Sequence, residues 1–256
     1  MFGEPHTTRI RAAIAMRYTF LPFWYTVFAE AQRTGLPVMR PLWAHYPTEA
    51  AVFAIEDQWL IGSDLMIKPI TAAGVKSTTV YFPGDQPWYD VVTHAATGRA
   101  PGASSVDAPI DKIPVYQRGG SIIPRKMRLR RSSATMVYDP YTLVVALDSA
   151  GQASGELYMD DEHTFDFKQG KFCLRRFVFS KGTLKGEAVT SGFAPVNTVE
   201  RVVILGLGAA PSAVKIQIGD ETARELTFDY DANAKTLVVR KPAMPAAGDF
   251  TMALEE

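Results

Sequence analysis

The sequence contains almost no cysteine and carries no excess of charge. Its single cysteine, Cys173, excludes an internal disulfide and any zinc site built from cysteine ligands. Because Cys173 lies in the run FCLRRFVFS, we expect a buried small side chain rather than a reactive thiol. Lysine plus arginine and aspartate plus glutamate both number 27. This balance gives no indication of nucleic acid or of an anionic membrane surface as a partner.

Long apolar runs and targeting signals are also missing from the 256 residues. Arg17 interrupts the best candidate, so we expect no segment of the roughly 18 apolar residues that a membrane span requires. The first residues, MFGEPHTTRIR, lack the parts of a signal peptide, and the final ALEE is not an ER-retention signal. What is present is a composition that is 47% hydrophobic and 11% aromatic, which is typical of a globular protein with one large or two small domains.

Residues 10–35 are predicted to be helical, with apolar side chains at spacings of three and four on two faces. One face consists of Ile10, Ile14, Tyr18, Leu21, Tyr25 and Phe28. The other consists of Ala13, Met16, Phe20, Phe23 and Val27. Pro22 should kink or split the helix, and Gly35 followed by Pro37 should end it. A helix that is apolar on two faces needs a neighbour on each, and this chain offers few candidates for them.

After Pro37 the pattern changes from helix to strand. Short segments rich in β-branched and aromatic residues predict strands at residues 38–43, 59–69, 78–82, 88–92 and 113–117. A second series is predicted at residues 141–147, 155–159, 171–180, 183–189, 200–205, 213–218, 226–230, 236–240 and 250–254. Strands at this spacing are typical of β-sandwiches, and the clearest predicted hairpin joins LTFDY to TLVVR.

Two features separate these series. Gly119 and Gly120 stand between IPVYQ and SIIPR, where glycine allows a close approach by another chain segment, more often a neighbouring strand than a ligand. Arg128, Arg130 and Arg131 then interrupt the strand pattern. We interpret them as part of a boundary or a long connection rather than a phosphate or nucleic-acid patch, because the overall charge is neutral.

The densest acidic cluster lies in the segment MDDEHTFDF. It contains Asp160, Asp161, Glu162 and His163. Its oxygen-rich composition could suit a hard cation, but the spacing fits no calcium loop, and a polar hairpin turn is the favoured interpretation. Asp57 and Asp64, which lie beside strands, are expected to be structural hydrogen-bond acceptors rather than catalytic bases.

Other residues that often carry chemistry are scattered. The four histidines are His6, His45, His94 and His163. Their separation makes a metal site improbable, and neither a phosphate-binding loop nor a G-x-S-x-G motif occurs. The four tryptophans are Trp24, Trp43, Trp59 and Trp88. All lie in apolar runs where burial in the core is expected, with Trp88, near a turn, the least certain.

Several segments follow one another in a characteristic order. They are RYTFLPFWYTVFAEAQRTGLPVMRPLW, EDQWLIGSDLMIKPI, VYFPG with WYDV, and IPVYQRGGSIIPR. Together they strongly resemble the C-terminal third of glycoside hydrolase family 31, from about Arg17 to Arg201 and more weakly to Pro242. The later segments MRLRRSS, DPYTLVVAL, GELYMDDEHTFDF and LRRFVFS are most similar to family members that remove α-linked glucose from glycans.

The resemblance implies a mainly β fold in which an N-terminal helix, the last helix of a (β/α)₈ barrel, is followed by two β-sandwich domains. Residues 1–35 would be the terminal helical segment of the catalytic barrel, and residues 36–125 the proximal C-terminal sandwich. Residues 126–137 would form a linker, and residues 138–256 the distal C-terminal sandwich. The helix would then owe its uncovered face to the absence of the other barrel helices.

The resemblance also implies that the parent enzyme is a retaining α-glucosidase. Such enzymes need two carboxylates about 5–5.5 Å apart. In this family the nucleophile is an aspartate in a W-x-D-M-N-E segment of the barrel, which this sequence lacks, and the acid/base aspartate also lies upstream. We therefore expect no catalytic, substrate-binding or metal residue here, no cofactor, and no activity of the chain alone.

The partners implied are the N-terminal sandwich and barrel of the parent enzyme, a regulatory subunit, and a glycan reached through the parent. No nucleic acid or membrane is expected as a partner. The parent would reside in the endoplasmic reticulum lumen. Two alternatives remain: a carbohydrate-binding module, which requires at least two coplanar exposed aromatic residues on one face, and a protein-interaction scaffold.

Overall fold

The computed structural model describes residues 3–97 and 100–255. Its helical part consists of α1 (His6–Thr19) and α2 (Leu21–Thr34). The predicted split is confirmed: Phe20 lies between the helices, and Pro22 occupies the first turn of α2, where a missing N–H leaves no hydrogen bond unmade. Gly35 ends α2 in the left-handed conformation, with φ of 76°. Neither helix is long and apolar enough to cross a bilayer.

The rest of the described chain is mostly β, which confirms the predicted fold class. The strands are β1 (Met39–Pro41), β2 (Trp59–Ile61), β3 (Leu65–Ile67), β4 (Ser77–Phe82), β5 (Trp88–Asp90), β6 (Ala96–Thr97), β7 (Gly102–Asp107), β8 (Val115–Arg118), β9 (Ser121–Arg125), β10 (Tyr141–Ala146), β11 (Ala153–Met159), β12 (Cys173–Ser180), β13 (Thr183–Ser191), β14 (Thr198–Leu205), β15 (Ala213–Ile218), β16 (Arg224–Leu226), β17 (Phe228–Asp231), β18 (Thr236–Pro245) and β19 (Phe250–Glu255). Short 3-10 helices occupy Leu42–Ala44, Ala50–Val52, Ser133–Met136 and Asp166–Gln169.

Two sheets form the first sandwich. The larger one has the strand order β1-β2-β3-β8-β5-β6, and the smaller one is the antiparallel pair β4-β7. Val80 and Phe82 of β4 share a core with Leu60, Met66 and Trp88 of the larger sheet. The single strand predicted at residues 59–69 is a hairpin, β2 and β3, because the chain turns through Gly62, whose φ is 58°. Strand β7 was not predicted, since GASSVD contains little apolar character.

The second sandwich is a single sheet of eleven strands in the order β16-β15-β19-β13-β12-β11-β9-β10-β14-β18-β17. Residues from both halves of this sheet, among them Leu143, Phe177, Val202, Leu237 and Phe250, meet in one core, so the sheet folds over on itself. The hairpin of LTFDY with TLVVR is confirmed by the pairing of β17 with β18. The predicted strand at residues 226–230 is instead divided between β16 and β17, which pair with different neighbours.

Strand β9 connects the two sandwiches. It follows β8 of the first sandwich after Gly119 and Gly120, yet it pairs with β10 of the second. A cluster of buried apolar residues around Tyr89 packs between the two sandwiches. The Tyr89 hydroxyl donates a hydrogen bond to the Leu147 carbonyl at 2.9 Å. The change of sheet therefore lies at the two glycines. The division into domains bordered at residues 36, 125 and 138 stays a prediction.

Candidate functional site at the helix pair and the groove beside it

Helix α2 packs on the junction of the two sandwiches through one of its predicted apolar faces. Phe20, Phe23 and Val27 are each 4% exposed. They contact buried residues of β2, β3, β8 and β9, namely Ile61, Leu65, Val115 and Ile123. The covered face is thus the set that contains Phe20, and the sandwiches supply its neighbour.

The opposite apolar face is largely exposed in the described part of the chain. Ile10, Ile14, Tyr25 and Phe28 are 46%, 51%, 37% and 55% exposed, and we call them the open helical face. Exposed apolar side chains on both helices are typical of an interaction site.

Beside the open helical face lies a groove of about 530 Å³, which we call the α2 groove. It runs between α2, the segment 133–138 and the segment 193–197, over a floor that includes Tyr141 and Met159. Its aromatic lining consists of Trp24, Tyr25, Phe28, Tyr138, Tyr141, Tyr158 and Phe193. No motif predicts this groove, because its walls come from segments far apart in the sequence.

Asp160, from the predicted acidic cluster, lies in the α2 groove and ties the helix to the second sandwich. Its carboxylate accepts hydrogen bonds from the Tyr25 hydroxyl at 2.7 Å, the Tyr158 hydroxyl at 3.0 Å and the Glu162 N–H at 2.8 Å. Burial, together with the hydrogen bond to Asp160, raises the pKa of both tyrosines. Asp160 is only 8% exposed, so its role is that of a structural acceptor.

Asp161 forms the polar turn that the sequence favours. Its carboxylate accepts the Thr164 hydroxyl and the N–H groups of His163 and Thr164, and these bonds, that of the hydroxyl foremost, lower its pKa to about 2. Across residues 3–97 and 100–255, no three His, Cys, Asp or Glu side chains form a group suited to a metal ion. The hydrogen bonds of Asp160 and Asp161 account for the acidic cluster without a cation.

The wall of the α2 groove at residues 133–138 is fixed by charged residues of the preceding segment. The Arg130 guanidinium donates to both oxygens of Asp139, and Arg128 lies 3.7 Å from the same carboxylate. Lys126 Nζ donates to the Met136 and Val137 carbonyls, and Asn197 donates to the Val137 and Asp139 carbonyls. This segment joins β9 to its sheet neighbour β10, so these arginines hold a loop in place.

Asp139→Asn is expected to lower the free energy of unfolding at neutral pH. It should also reduce the amount by which this free energy falls between neutral and acidic pH. The hydrogen bond from Arg130 holds the pKa of Asp139 below its usual range. Such a carboxylate stabilises the fold above its unfolded pKa, and this contribution is lost as the pH falls through the folded pKa. We expect a loss of about 1.5–3 kcal/mol at neutral pH, measured by urea unfolding. A variant with the same difference between neutral and acid stability as the unaltered chain would contradict this.

Asp57, Asp64 and His45 each have a structural partner. Asp57 pairs with Lys68, and Asp64 pairs with Arg118 at 3.0 Å, as expected of hydrogen-bond acceptors. His45 Nε2 lies 3.2 Å from an Arg40 nitrogen, and burial followed by this charge lowers the His45 pKa.

Three of the four tryptophans are fully or partly buried, and the fourth is exposed. Trp88, the least certain, is fully buried, and Trp24 and Trp59 are partly buried against the core beneath α2. Trp43 is 50% exposed, so the expectation of core burial was wrong for it. It lies in a 3-10 helix whose neighbouring residue, Leu42, occupies the core instead. Cys173 is fully buried, as expected, and burial raises its pKa.

A second, charged pocket of about 290 Å³ lies where α2 meets both sandwiches. Its charged lining residues are Glu30, Asp64, Arg118, Glu156 and Arg176. Two of these residues form ion pairs with arginines outside the lining: Glu30 contacts Arg40 of β1 at 2.9 Å, and Glu156 of β11 contacts Arg33 of α2 at 3.2 Å. These pairs fix the helix to both sandwiches. Sequence reasoning missed them, since the partners lie about 10 and 123 positions apart.

Gly119 shows which segment approaches the double glycine. A methyl group on Gly119 would lie 2.7 Å from the Pro87 carbonyl oxygen and 2.9 Å from the Leu147 carbonyl oxygen. The close approach is therefore made by neighbouring backbone from both sandwiches, in agreement with the favoured interpretation.

This arrangement of a helix pair on two sandwiches matches a known family. Residues 35–123 match the family described as the glycosyl hydrolase family 31 C-terminal domain. The resemblance to glycoside hydrolase family 31 that the sequence motifs carry is thereby confirmed.

The similarity to individual members extends beyond that domain. The neutral alpha-glucosidase AB of Dictyostelium discoideum is 44% identical over 262 residues, and that of Homo sapiens is 42% identical over 258 residues. A crystal structure of an ER glucosidase II heterodimeric complex, of a catalytic subunit with the binding domain of a regulatory subunit, has a TM-score of 0.93 at 33% identity. That comparison covers 98% of this chain and 29% of the solved one. Each of the two curated relatives is matched over 99% of this chain but over 27% of its own length.

Proposed function

We propose that this chain acts as the C-terminal, non-catalytic part of a glucosidase II-like α-glucosidase, which hydrolyses α-linked glucose from glycans during N-glycan processing. The observation that carries the proposal is the open helical face, the exposed apolar side chains of the two helices. Its natural cover is the catalytic barrel, whose last helix this segment would be. The chain would brace that barrel and the loops that form its active site.

The chemistry of the described residues supports a structural role. The sequence lacks the W-x-D-M-N-E segment that carries the family's nucleophile. Asp160, Asp161 and Asp139 are occupied by hydrogen bonds within the fold. We infer that the chain alone does not hydrolyse glycosides, that its partners are the N-terminal sandwich and barrel of the parent, and that a β-like regulatory subunit of glucosidase II joins the assembly. The parent would work in the endoplasmic reticulum lumen.

A chimera tests this proposal. This chain replaces the 262 matched residues of the Dictyostelium relative. Hydrolysis of p-nitrophenyl α-glucoside is then compared between the chimera and the isolated chain. We expect turnover by the chimera and none by the chain. Turnover by the isolated chain that is abolished by one carboxylate substitution would overturn the proposal, and so would a chimera that folds but is inactive.

The open helical face can be tested in the same chimera. Phe28→Asp should leave the unfolding of the isolated chain within about 0.5 kcal/mol of the original, because the side chain is exposed. In the chimera it should reduce active protein roughly tenfold or more, since a buried unpaired charge is costly. Equal activity of the chimeras with and without Phe28→Asp would show that nothing covers this face.

A second candidate function, carbohydrate binding, is favoured by one observation. Trp43 and Phe53 are 50% and 56% exposed and flank a shallow depression together with Pro47. Each ring follows a fully buried aliphatic residue, Leu42 or Val52, which holds it in place. Two exposed rings on a rigid surface can stack on the apolar face of a sugar.

Titration calorimetry with maltotriose tests the second candidate. We expect binding by the unaltered chain, loss of binding in Trp43→Ala, and retention in Trp43→Phe, which keeps an aromatic face. Absence of binding to the unaltered chain at millimolar maltotriose would remove carbohydrate binding as a function of this surface.

A further inference from the structure

The α2 groove and the open helical face form one surface. Tyr25 and Phe28 belong to both: they are exposed on the helix, and they line the groove. The far wall of the groove is also exposed and apolar, with Tyr138 at 78% and Val196 at 76%. A partner that covers the helical face therefore meets the groove at its edge.

Hydrogen bonds hold the far wall of the groove in place, although its apolar side chains are exposed. Asn197 donates to the Val137 carbonyl at 2.6 Å and to the Asp139 carbonyl at 2.9 Å, which joins the two segments of the wall to each other. The Arg130 and Asp139 ion pair fixes the same loop. Tyr138 and Val196 are thus held in an exposed position by neighbours that are themselves buried, as in a surface prepared for a protein partner.

The polar groups in the groove indicate the chemistry of the occupant. Asp160 already accepts three hydrogen bonds, and Asn197 and Lys126 each donate to two carbonyl groups. A small polar ligand would find few unsatisfied partners among them, whereas the aromatic walls favour apolar side chains. Apolar protein side chains therefore fit the groove, whose lining also contains the charged residues Arg17 and Glu162.

We infer that the α2 groove is a second anchoring site for the partner that covers the open helical face, and that this partner inserts apolar side chains between α2 and the segment 193–197. This inference rests on the proposed function and extends it, because it places the contact on the second sandwich as well as on the helices. The occupant is the polypeptide that the relatives carry outside the match, since the matched part is 27% of their length. The second sandwich would then hold the catalytic part directly.

The experiment compares three charged variants in the chimera and in the isolated chain. Val196→Asp tests the groove, Phe28→Asp tests the open helical face, and Ile110→Asp is the control, because Ile110 is 70% exposed and lies outside the groove and the helices. None of the three should measurably shift the urea midpoint of unfolding of the isolated chain. In the chimera, Val196→Asp should reduce active, soluble enzyme roughly tenfold, while Ile110→Asp should leave it unchanged.

The outcomes separate the inference from the proposed function. If Phe28→Asp inactivates the chimera and Val196→Asp does not, the groove inference is wrong and the proposed function stands. If neither variant has an effect, both are wrong. Sedimentation of the isolated chain tests a further occupant, since a concentration-dependent dimer that Val196→Asp abolishes would assign the groove to a second copy and overturn the inference.

Discussion

Trp88→Ala is expected to lower the free energy of unfolding by about 3–5 kcal/mol, the largest effect among the substitutions considered. The side chain is fully buried in the core of the first sandwich, and its Nε1–H donates to the Pro83 carbonyl at 3.1 Å. Removing the indole leaves a cavity between the two sheets, while the Pro83 carbonyl keeps the hydrogen bond that it accepts from the Gln86 amide at 2.8 Å. Urea unfolding followed by circular dichroism measures the loss.

Trp43→Ala provides the matched control for that substitution. Trp43 is 50% exposed, and the same loss of an indole should cost less than about 1 kcal/mol. Comparable losses in the two variants would mean that Trp43 is covered in the isolated chain or that Trp88 is not in the core. The two variants together therefore test the difference in burial between Trp88 and Trp43, which the sequence did not predict.

Asp249→Ala is expected to destabilise the second sandwich by about 3 kcal/mol, although Asp249 itself is exposed. Its carboxylate lies 2.8 Å from Arg175, whose side chain is 0% exposed, and it also accepts the Ala188 N–H. The substitution leaves the Arg175 guanidinium with the Ala247 and Gly248 carbonyls but without a counter-charge. Thermal unfolding monitored by calorimetry should show a lower Tm.

Asp229→Ala is the comparison for Asp249→Ala. Asp229 has a similar exposure and a similar ion-pair distance, 3.0 Å to Arg240, but that arginine is 54% exposed. Pairs between exposed charges contribute about 0–1 kcal/mol. Equal losses in the two variants would refute the idea that burial of the arginine, rather than the ion pair itself, determines the cost.

The sequence predicted correctly those elements whose structure depends on residues close together in the chain. The spacing of Ile14, Phe23 and Phe28 defined two helical faces, and Pro22 and Gly35 marked the bounds of α2. Short runs rich in β-branched and aromatic residues, such as that of β10, located most strands. These features depend on neighbours within a few residues, which the sequence displays directly.

Features that depend on distant segments could not be predicted. The change of sheet at Gly119 and the division of residues 226–230 between two strands follow from strand pairing across the chain. The α2 groove brings Tyr25 beside Asp160, which is 135 positions away. Trp43 is exposed because Leu42 fills the core position next to it, a choice between adjacent apolar residues that no periodicity decides.

The step from β8 to β9 has a mechanical consequence. Only Gly119 and Gly120 separate the two strands, and the Gln117 side chain donates to the Val144 carbonyl at 3.0 Å across the step. This connection is therefore too short and too constrained to act as a hinge. If the helix pair is displaced, the two sandwiches should therefore move together as one rigid unit.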